Sequence, residues 1–146
     1  MEIKEIKEYT PQVFKAIQHL LTLLVTYNLK ISGKDFREII ESDNSHIFVA
    51  IDSQNNNLMG MLTVGTYLSP TGRKGWIEDV VVDEAYRGHG IGKELMQHAI
   101  QFADFQAIKL LMLTSNPTRV AANSLYQSLG FEKKKPMYIK CILIED

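Results

Sequence analysis

Cysteine is almost missing from this chain: Cys141 is the only one in 146 residues. One thiol excludes an internal disulfide, and it cannot build the paired-cysteine sites that hold structural zinc. The histidines at 19, 46, 89 and 98 are scattered without ligand spacing, so no metal is expected. An excess of either charge is missing too. Lys and Arg number 16 against 17 Asp and Glu, a net charge of −1, which leaves no electrostatic footprint for nucleic acid. The one basic run, Lys133-Lys134-Lys135, precedes Pro136 without interleaved aromatics and reads as a solvated turn. Long apolar runs are also lacking. Leu20 to Val25 contains Thr22 and falls far short of the roughly 20 residues a spanning helix needs. The start, Met1 to Glu5, is too charged for a secretory signal. A cytoplasmic, metal-free protein with no membrane or nucleic-acid partner is expected.

Hydrophobic content of 45% with 23% charged residues suits a globular chain able to bury a core, and the length suits one domain over 1–146. Residues 2–8 suggest a short first strand. Thr10-Pro11 supplies an N-cap with proline at the first helical position, and Val13, Ile17, Leu20, Leu21, Leu24 and Val25 continue at helical spacing to about Tyr27. Ser32 and Asp35 resemble a capping box before Phe36, Ile39 and Ile40. A strand over 47–51, a turn over 53–57 and a returning strand over 58–68 follow, with Gly60 and Gly65 as candidate bulges. After the turn at 69–72, Trp76 to Val82 forms the next strand. Ile91, Leu95, Ala99, Phe102 and Ala103 mark the buried face of a helix, with Lys93, Glu94, Gln97 and Gln101 on its wet side. Ile108 to Leu113 reads as a central strand covered on both faces. Asn116-Pro117 reads as cap and first residue of a last helix, Gly130 closes it, and 131–144 supplies the last strands, broken at Pro136.

The most informative stretch is Arg87-Gly88-His89-Gly90-Ile91-Gly92, between the strand ending Val80-Val81-Val82 and the helix opened by Ile91. Alternating glycines let a backbone approach a ligand closely, and the helix N-terminus behind them favours an anion, most often phosphate. The dinucleotide fingerprint Gly-x-Gly-x-x-Gly fails in both registers, because its last glycine would fall on Lys93 or Leu95. A Walker A loop fails because Gly92-Lys93 is followed by Glu94, and its first glycine would fall on Arg87.

What remains, Arg-x-x-Gly-x-Gly after a valine-rich strand, resembles motif A of the GCN5-related N-acetyltransferases, the GNAT superfamily. The stretch from Asn116 to Phe131, with Ala122, Leu125-Tyr126 and Gly130-Phe131, resembles that family's motif B. The order of elements is similar as well, so the resemblance covers nearly the whole chain and is strongest over 76–131. It implies an α/β (α+β) fold: one domain, a central mixed, mostly antiparallel sheet of six to seven strands, splayed between strands 4 and 5, and about four helices. It implies acetyl-coenzyme A as co-substrate, with its pyrophosphate on the amides of Gly88, His89, Gly90, Ile91, Gly92 and Lys93. Arg87 would brace the loop or touch phosphate, and His89 reads as a solvent-facing loop residue. The main chain of Val80, Val81 and Val82 would face the thioester, and Asn116 and Asn123 would contact the pantetheine arm. Arg119, Asn123 and Tyr126 share one helical stripe, and the resemblance makes Tyr126 the general acid toward the departing thiolate.

Glu78 is the candidate base. Regular alternation puts it on the face of Val80 and Val82, with Asp79 opposite, and a carboxylate deep in an apolar strand would have its pKa raised. The expected function is N-acetylation of a primary amine on a small molecule or peptide, and the resemblance leaves room for a homodimer. Tyr27 to Phe36 and Tyr67 to Lys74 would line the acceptor site. The short run Trp76 to Val82 is also similar to the glucosamine-phosphate acetyltransferase branch, yet the acceptor does not follow from it. A non-catalytic acetyl-coenzyme A sensor and a protein or peptide N-acetyltransferase are the alternatives.

Overall fold

A computed structural model describes residues 1–25, 27 and 29–134, in two units, Met1–Thr114 and Ser115–Asp146. In the first, alternating and continuous apolar runs form five strands: β1 (Glu2–Glu5), β2 (Ser45–Ile51), β3 (Leu58–Ser69), β4 (Gly72–Val82) and β5 (Leu110–Leu113). They lie in the order β1-β2-β3-β4-β5, antiparallel throughout except for the parallel pair β4–β5. The α+β architecture and mixed sheet are as expected, with five strands among the described residues. The strands expected over 131–144 fall, from residue 135 on, outside the described residues.

Local signals start the helices where the sequence puts them. In α1 (Pro11–Leu24) the Thr10 hydroxyl accepts from the Val13 amide at 3.1 Å. In α2 (Gly33–Glu41) both arms of the capping box form, Asp35 N–H to Ser32 Oγ at 3.0 Å and Ser32 N–H to Asp35 Oδ2 at 3.4 Å. Ile17, Leu20 and Phe36 from these helices pack with Val49, Met61 and Val81 on one face of the sheet. The other face takes α3 (Ile91–Phe105), whose Leu95, Met96 and Ala99 are fully buried. There Phe48, neighbour of Val49 and pointing the other way, packs its ring against His98 and Phe102.

Two irregularities shape the sheet. Ala50 pairs with Gly60 but Ile51 with Leu58, so Met59 is an extra residue beside Gly60. Gly65, the other candidate bulge, sits in regular pairing between Ser45 and Trp76. The second irregularity was not anticipated. Met61 pairs with Val81 but Thr63 with Glu78, so Asp79 and Val80 together oppose Leu62. β4 therefore carries a bulge, and Asp79 adopts φ +56° within it. Gly60 is required next to it. A Cβ there would stand 2.8 Å from the Val81 carbonyl oxygen and 3.3 Å from Leu95 Cδ1. Gly60→Ala should therefore destabilise the fold by about 1–3 kcal/mol, through forced backbone displacement; chemical denaturation measures it.

α3 ends in a Schellman arrangement, with Ile108 N–H on Ala103 O at 2.9 Å and Ala107 N–H on Asp104 O at 3.1 Å. The left-handed position is held by Ala107, φ +56°, where glycine is favoured. Ala107→Gly should raise stability by about 1 kcal/mol, visible as a higher denaturation midpoint with unchanged slope. β5 is shorter than expected and less covered: Leu110 is 51% exposed, so both-face coverage fails at that end.

The second unit contains α4 (Val120–Ser128). It begins later than Asn116-Pro117 suggests. Asn116 Oδ1 instead accepts from Thr118 N–H and Oγ1–H, both at 2.9 Å, forming a turn that precedes the helix. Gly130, φ +94°, closes α4 as expected, with Phe131 N–H on Tyr126 O and Gly130 N–H on Gln127 O.

Candidate functional site

The chain leaving β4 is fastened step by step until it reaches the glycines. Asp83 N–H bonds Met59 O at 2.8 Å, and its side chain caps a short 3-10 turn by accepting from Ala85 N–H at 3.1 Å. Tyr86 N–H returns to Asp83 O, and the Tyr86 hydroxyl accepts from Asn57 Nδ2 at 3.3 Å. His19 of α1 reaches Asp83 at 3.3 Å. Arg87 Nε–H donates to Val82 O at 3.1 Å, so its side chain braces the loop. His89, exposed as expected, turns Nδ1 back to Tyr86 O and Arg87 O at 3.1 and 3.0 Å. With the proton on Nδ1, the imidazole secures the turn.

From Gly88 on, the fastening stops. Among the described residues none of the amides of Gly88, His89, Gly90, Ile91, Gly92 or Lys93 donates a hydrogen bond, and Gly90 at the N-cap of α3 provides no side-chain cap. Gly88 and Gly90 have φ +83° and +76°, the left-handed region that glycine enters without strain. A Cβ at either would meet no described atom within 4 Å. Six consecutive unpaired donors, a helix N-terminus and open space before them fit an anion such as a pyrophosphate.

The end of β4 borders this loop. Pairing with β5 stops at Ile77↔Leu113, so residues 78–82 have no β5 partner among the described residues. That is the expected parting of strands 4 and 5. The bulge, however, changes which side chains share a face. Upstream of it the alternation is shifted by one residue. Glu78 pairs with Thr63, in the row of Met61 and Val81 on the α1/α2 side, whereas Val82 pairs with Gly60 on the α3 side. Glu78 thus lies on the face opposite Val82, which corrects the expected shared face. It is also exposed rather than deep in an apolar strand. Asp79, its neighbour, is exposed as well, and partial desolvation raises its carboxyl above the usual carboxylate range. The bulge at Asp79 escaped the sequence reading because an extra residue among valines leaves no mark in apolar periodicity.

In the second unit, Asn116, Thr118, Arg119 and Asn123 are brought together. Asn123 Nδ2 donates to Asn116 O at 3.0 Å and to Arg119 O at 2.9 Å, so its amide nitrogen ties the turn to α4 and leaves Oδ1 for other contacts. Tyr126 is 6% exposed, its ring edge-on to Phe131 at 6.4 Å. Ser115 Oγ is buried with no partner among the described residues, an orphan no sequence motif flags. Among those residues no His, Cys, Asp and Glu group suits a metal ion, and no helix is long and apolar enough to cross a membrane.

A mixed sheet that parts beside an uncapped, glycine-rich helix N-terminus defines an α+β protein with a cradle suited to an anion. The sequence profile of the acetyltransferase (GNAT) family matches residues 15–131, and the chain belongs to that family. It is 35% identical over 65 residues to N-alpha-acetyltransferase 30 of Saccharomyces cerevisiae, a match covering 44% of this chain and 37% of that protein. The chain spans 15% to 37% of the length of three such curated relatives. Its fold is similar to an aminoglycoside acetyltransferase from an uncultured soil metagenomic sample, solved with sisomicin: TM-score 0.85, 19% identity, 98% of this chain and 96% of that one. A crystal structure described as a transcriptional regulator from Bacillus halodurans C-125 is similar too, at TM-score 0.77 and 29% identity, covering 94% and 99% of the two chains.

Proposed function

We propose that this chain is an N-acetyltransferase that moves an acetyl group from acetyl-coenzyme A to a primary amine of a small molecule or peptide. The observation that carries the reading is the row of six unpaired amides from Gly88 to Lys93 at the start of α3. Bound acetyl-coenzyme A supplies an acetyl thioester; the residues do the rest. The loop amides hold pyrophosphate, and Arg87, by bonding Val82 O, keeps the loop against the end of β4. The main chain of Val80 to Val82, beyond the last β4–β5 pair, offers donors for the thioester oxygen. Asn116 and the Oδ1 of Asn123 serve the pantetheine amides. A carboxylate at the end of β4, Glu78 or Asp79, accepts the proton of the acceptor's ammonium, and Tyr126 gives its phenolic proton to the departing sulfur. The reading treats 1–146 as one catalytic domain in the cytoplasm.

The test is release of free thiol from acetyl-coenzyme A across a panel of polyamines, aminoglycosides, amino sugars and peptides with free N-termini. Turnover on at least one acceptor is expected. Tight binding of acetyl-coenzyme A with no turnover on any of them would favour the second reading, a non-catalytic sensor. The likeness to a protein described as a transcriptional regulator supports keeping that reading in the test.

A further inference from the structure

We propose that the acceptor carries an acidic group, phosphate or carboxylate, besides its amine, and that the β3–β4 hairpin holds that group at Lys74. This inference rests on the acetyltransferase reading above. Its basis is a strip of sheet that α1 and α2 leave uncovered. The apolar core on their side takes in Met61 and Val81, but no hydrophobic residue from Thr63 to Glu78 joins it. The ladder is regular there, pairing Thr63 with Glu78, Gly65 with Trp76, Tyr67 with Lys74 and Ser69 with Gly72. Alternation sets these pairs on the face of Met61. Val64 and Ile77 between them belong to the α3 side, since Val64 also pairs with His46, whose ring packs on Phe102.

Gly65 is the floor of the strip. It has no positive φ that would require glycine, and a Cβ there would meet no described atom within 4 Å. Glycine weakens a strand interior. Where neither conformation nor crowding demands it, it marks a spot where a ligand comes close to the backbone. Trp76 opposite, partly exposed, and Tyr67 two residues on, 43% exposed, flank the bare backbone with ring faces. Together they make a stage for a sugar ring or a peptide plane.

The ends of the strip carry opposite charge. Glu78 lies toward the parted end of β4 and Lys74 toward the hairpin tip. The Lys74 ammonium donates to Ser69 Oγ at 2.8 Å and to Thr71 Oγ1. Two hydroxyls thus hold it in place, and its third N–H remains for a ligand. Lys109 adds a second cation, its Cδ 2.8 Å from where a Cβ on Gly72 would stand. No ion pair among the described residues includes Lys74 or Lys109. A cation fixed by neutral oxygens and left without a carboxylate is arranged for an anion from outside. At a rise of roughly 3.3 Å per residue, Lys74 and Glu78 stand about 13 Å apart. An amine at the parted end of β4 therefore places its acidic group on the order of 10 Å away, across Gly65.

The experiment compares acceptors that differ only in the acidic group: an amino sugar phosphate against the amino sugar, and a tripeptide with a free C-terminus against its amide. The wild type should prefer the acidic member of at least one pair by about 10- to 100-fold in kcat/KM, the contribution of a charge-assisted hydrogen bond. The preferred pair distinguishes phosphate from carboxylate. Lys74→Met, which keeps most of the stem, should erase most of the preference, Lys74→Glu should invert it, and Lys74→Arg should restore it. Gly65→Val tests the floor. Its side chain enters open space in a strand that suits it, so the melting temperature should hold or rise. Its kcat/KM for the preferred acceptor should fall by about 10-fold or more. Affinity for acetyl-coenzyme A, read by calorimetry, should stay near wild type in every variant. Equal turnover of both members of each pair, a preference that survives Lys74→Glu, or a Gly65→Val protein as active as wild type overturns this inference alone. A wild type without turnover on any acceptor of the panel or the pairs removes the acetyltransferase reading and this inference with it.

Discussion

Gly90→Asp should lower affinity for acetyl-coenzyme A by a factor of 100 or more and leave the melting temperature nearly unchanged. Gly90 lies at φ +76°, where Asp costs roughly 1 kcal/mol, and a Cβ there meets no described atom within 4 Å. The new carboxylate also stands at the N-cap of α3, where Asp is favoured because its oxygens accept from the first helical amides. It would thus recover part of its conformational cost while competing for the amides that a pyrophosphate needs. Like charges ~4 Å apart near a protein surface repel by about 4 kcal/mol, nearly three decades in binding. Calorimetric titration with acetyl-coenzyme A, alongside a thermal melt, separates lost binding from lost folding. Undiminished binding would mean that the loop holds something else.

Tyr126→Phe should cut turnover by about 100-fold, in line with the contribution of a positioned general acid, and leave affinity for acetyl-coenzyme A close to wild type. The substitution removes one oxygen and keeps the ring, so the edge-on contact with Phe131 survives and the change in stability should be small. Saturating steady-state assays provide the measurement, and an unchanged rate would remove Tyr126 from the mechanism.

What could be read before any coordinates is concentrated where one residue type has one physical use. Thr10-Pro11, the Ser32/Asp35 box and Gly130 each mark a helix end, because cap chemistry is local and nearly independent of tertiary context. Gly88 and Gly90 were legible for the same reason: positive φ and close approach admit little else. The failures occur where context decides between two local options. Asn116 can cap a helix or close a turn on Thr118, and only the placement of the following residues selects the turn. Ala107 carries no sign that it must adopt φ +56°, because the requirement comes from the path between α3 and β5. The bulge in β4 is hidden by its own composition. Val80, Val81 and Val82 suit either face of a buried strand, so alternation offers no register against which an extra residue would show. Placing Glu78 with Val82 assumed a period of two that the strand breaks one residue later.

That extra residue makes Asp79 a place in β4 where a residue can be lost without moving the rest. Without it Val80 alone would oppose Leu62, and Thr63↔Glu78, Val64↔Ile77 and Gly65↔Trp76 would keep their partners and faces. A loss at Ile77 has no such outlet. It would seat Glu78 opposite Val64, in the buried α3-facing row that Ile77, 3% exposed, now fills, or turn the strand upstream over. An insertion in the hairpin turn at Ser69 to Gly72 can be absorbed at the tip. A deletion scan across residues 70–82, read by melting temperature, should show the hairpin tip and Asp79 permissive for folding and position 77 intolerant.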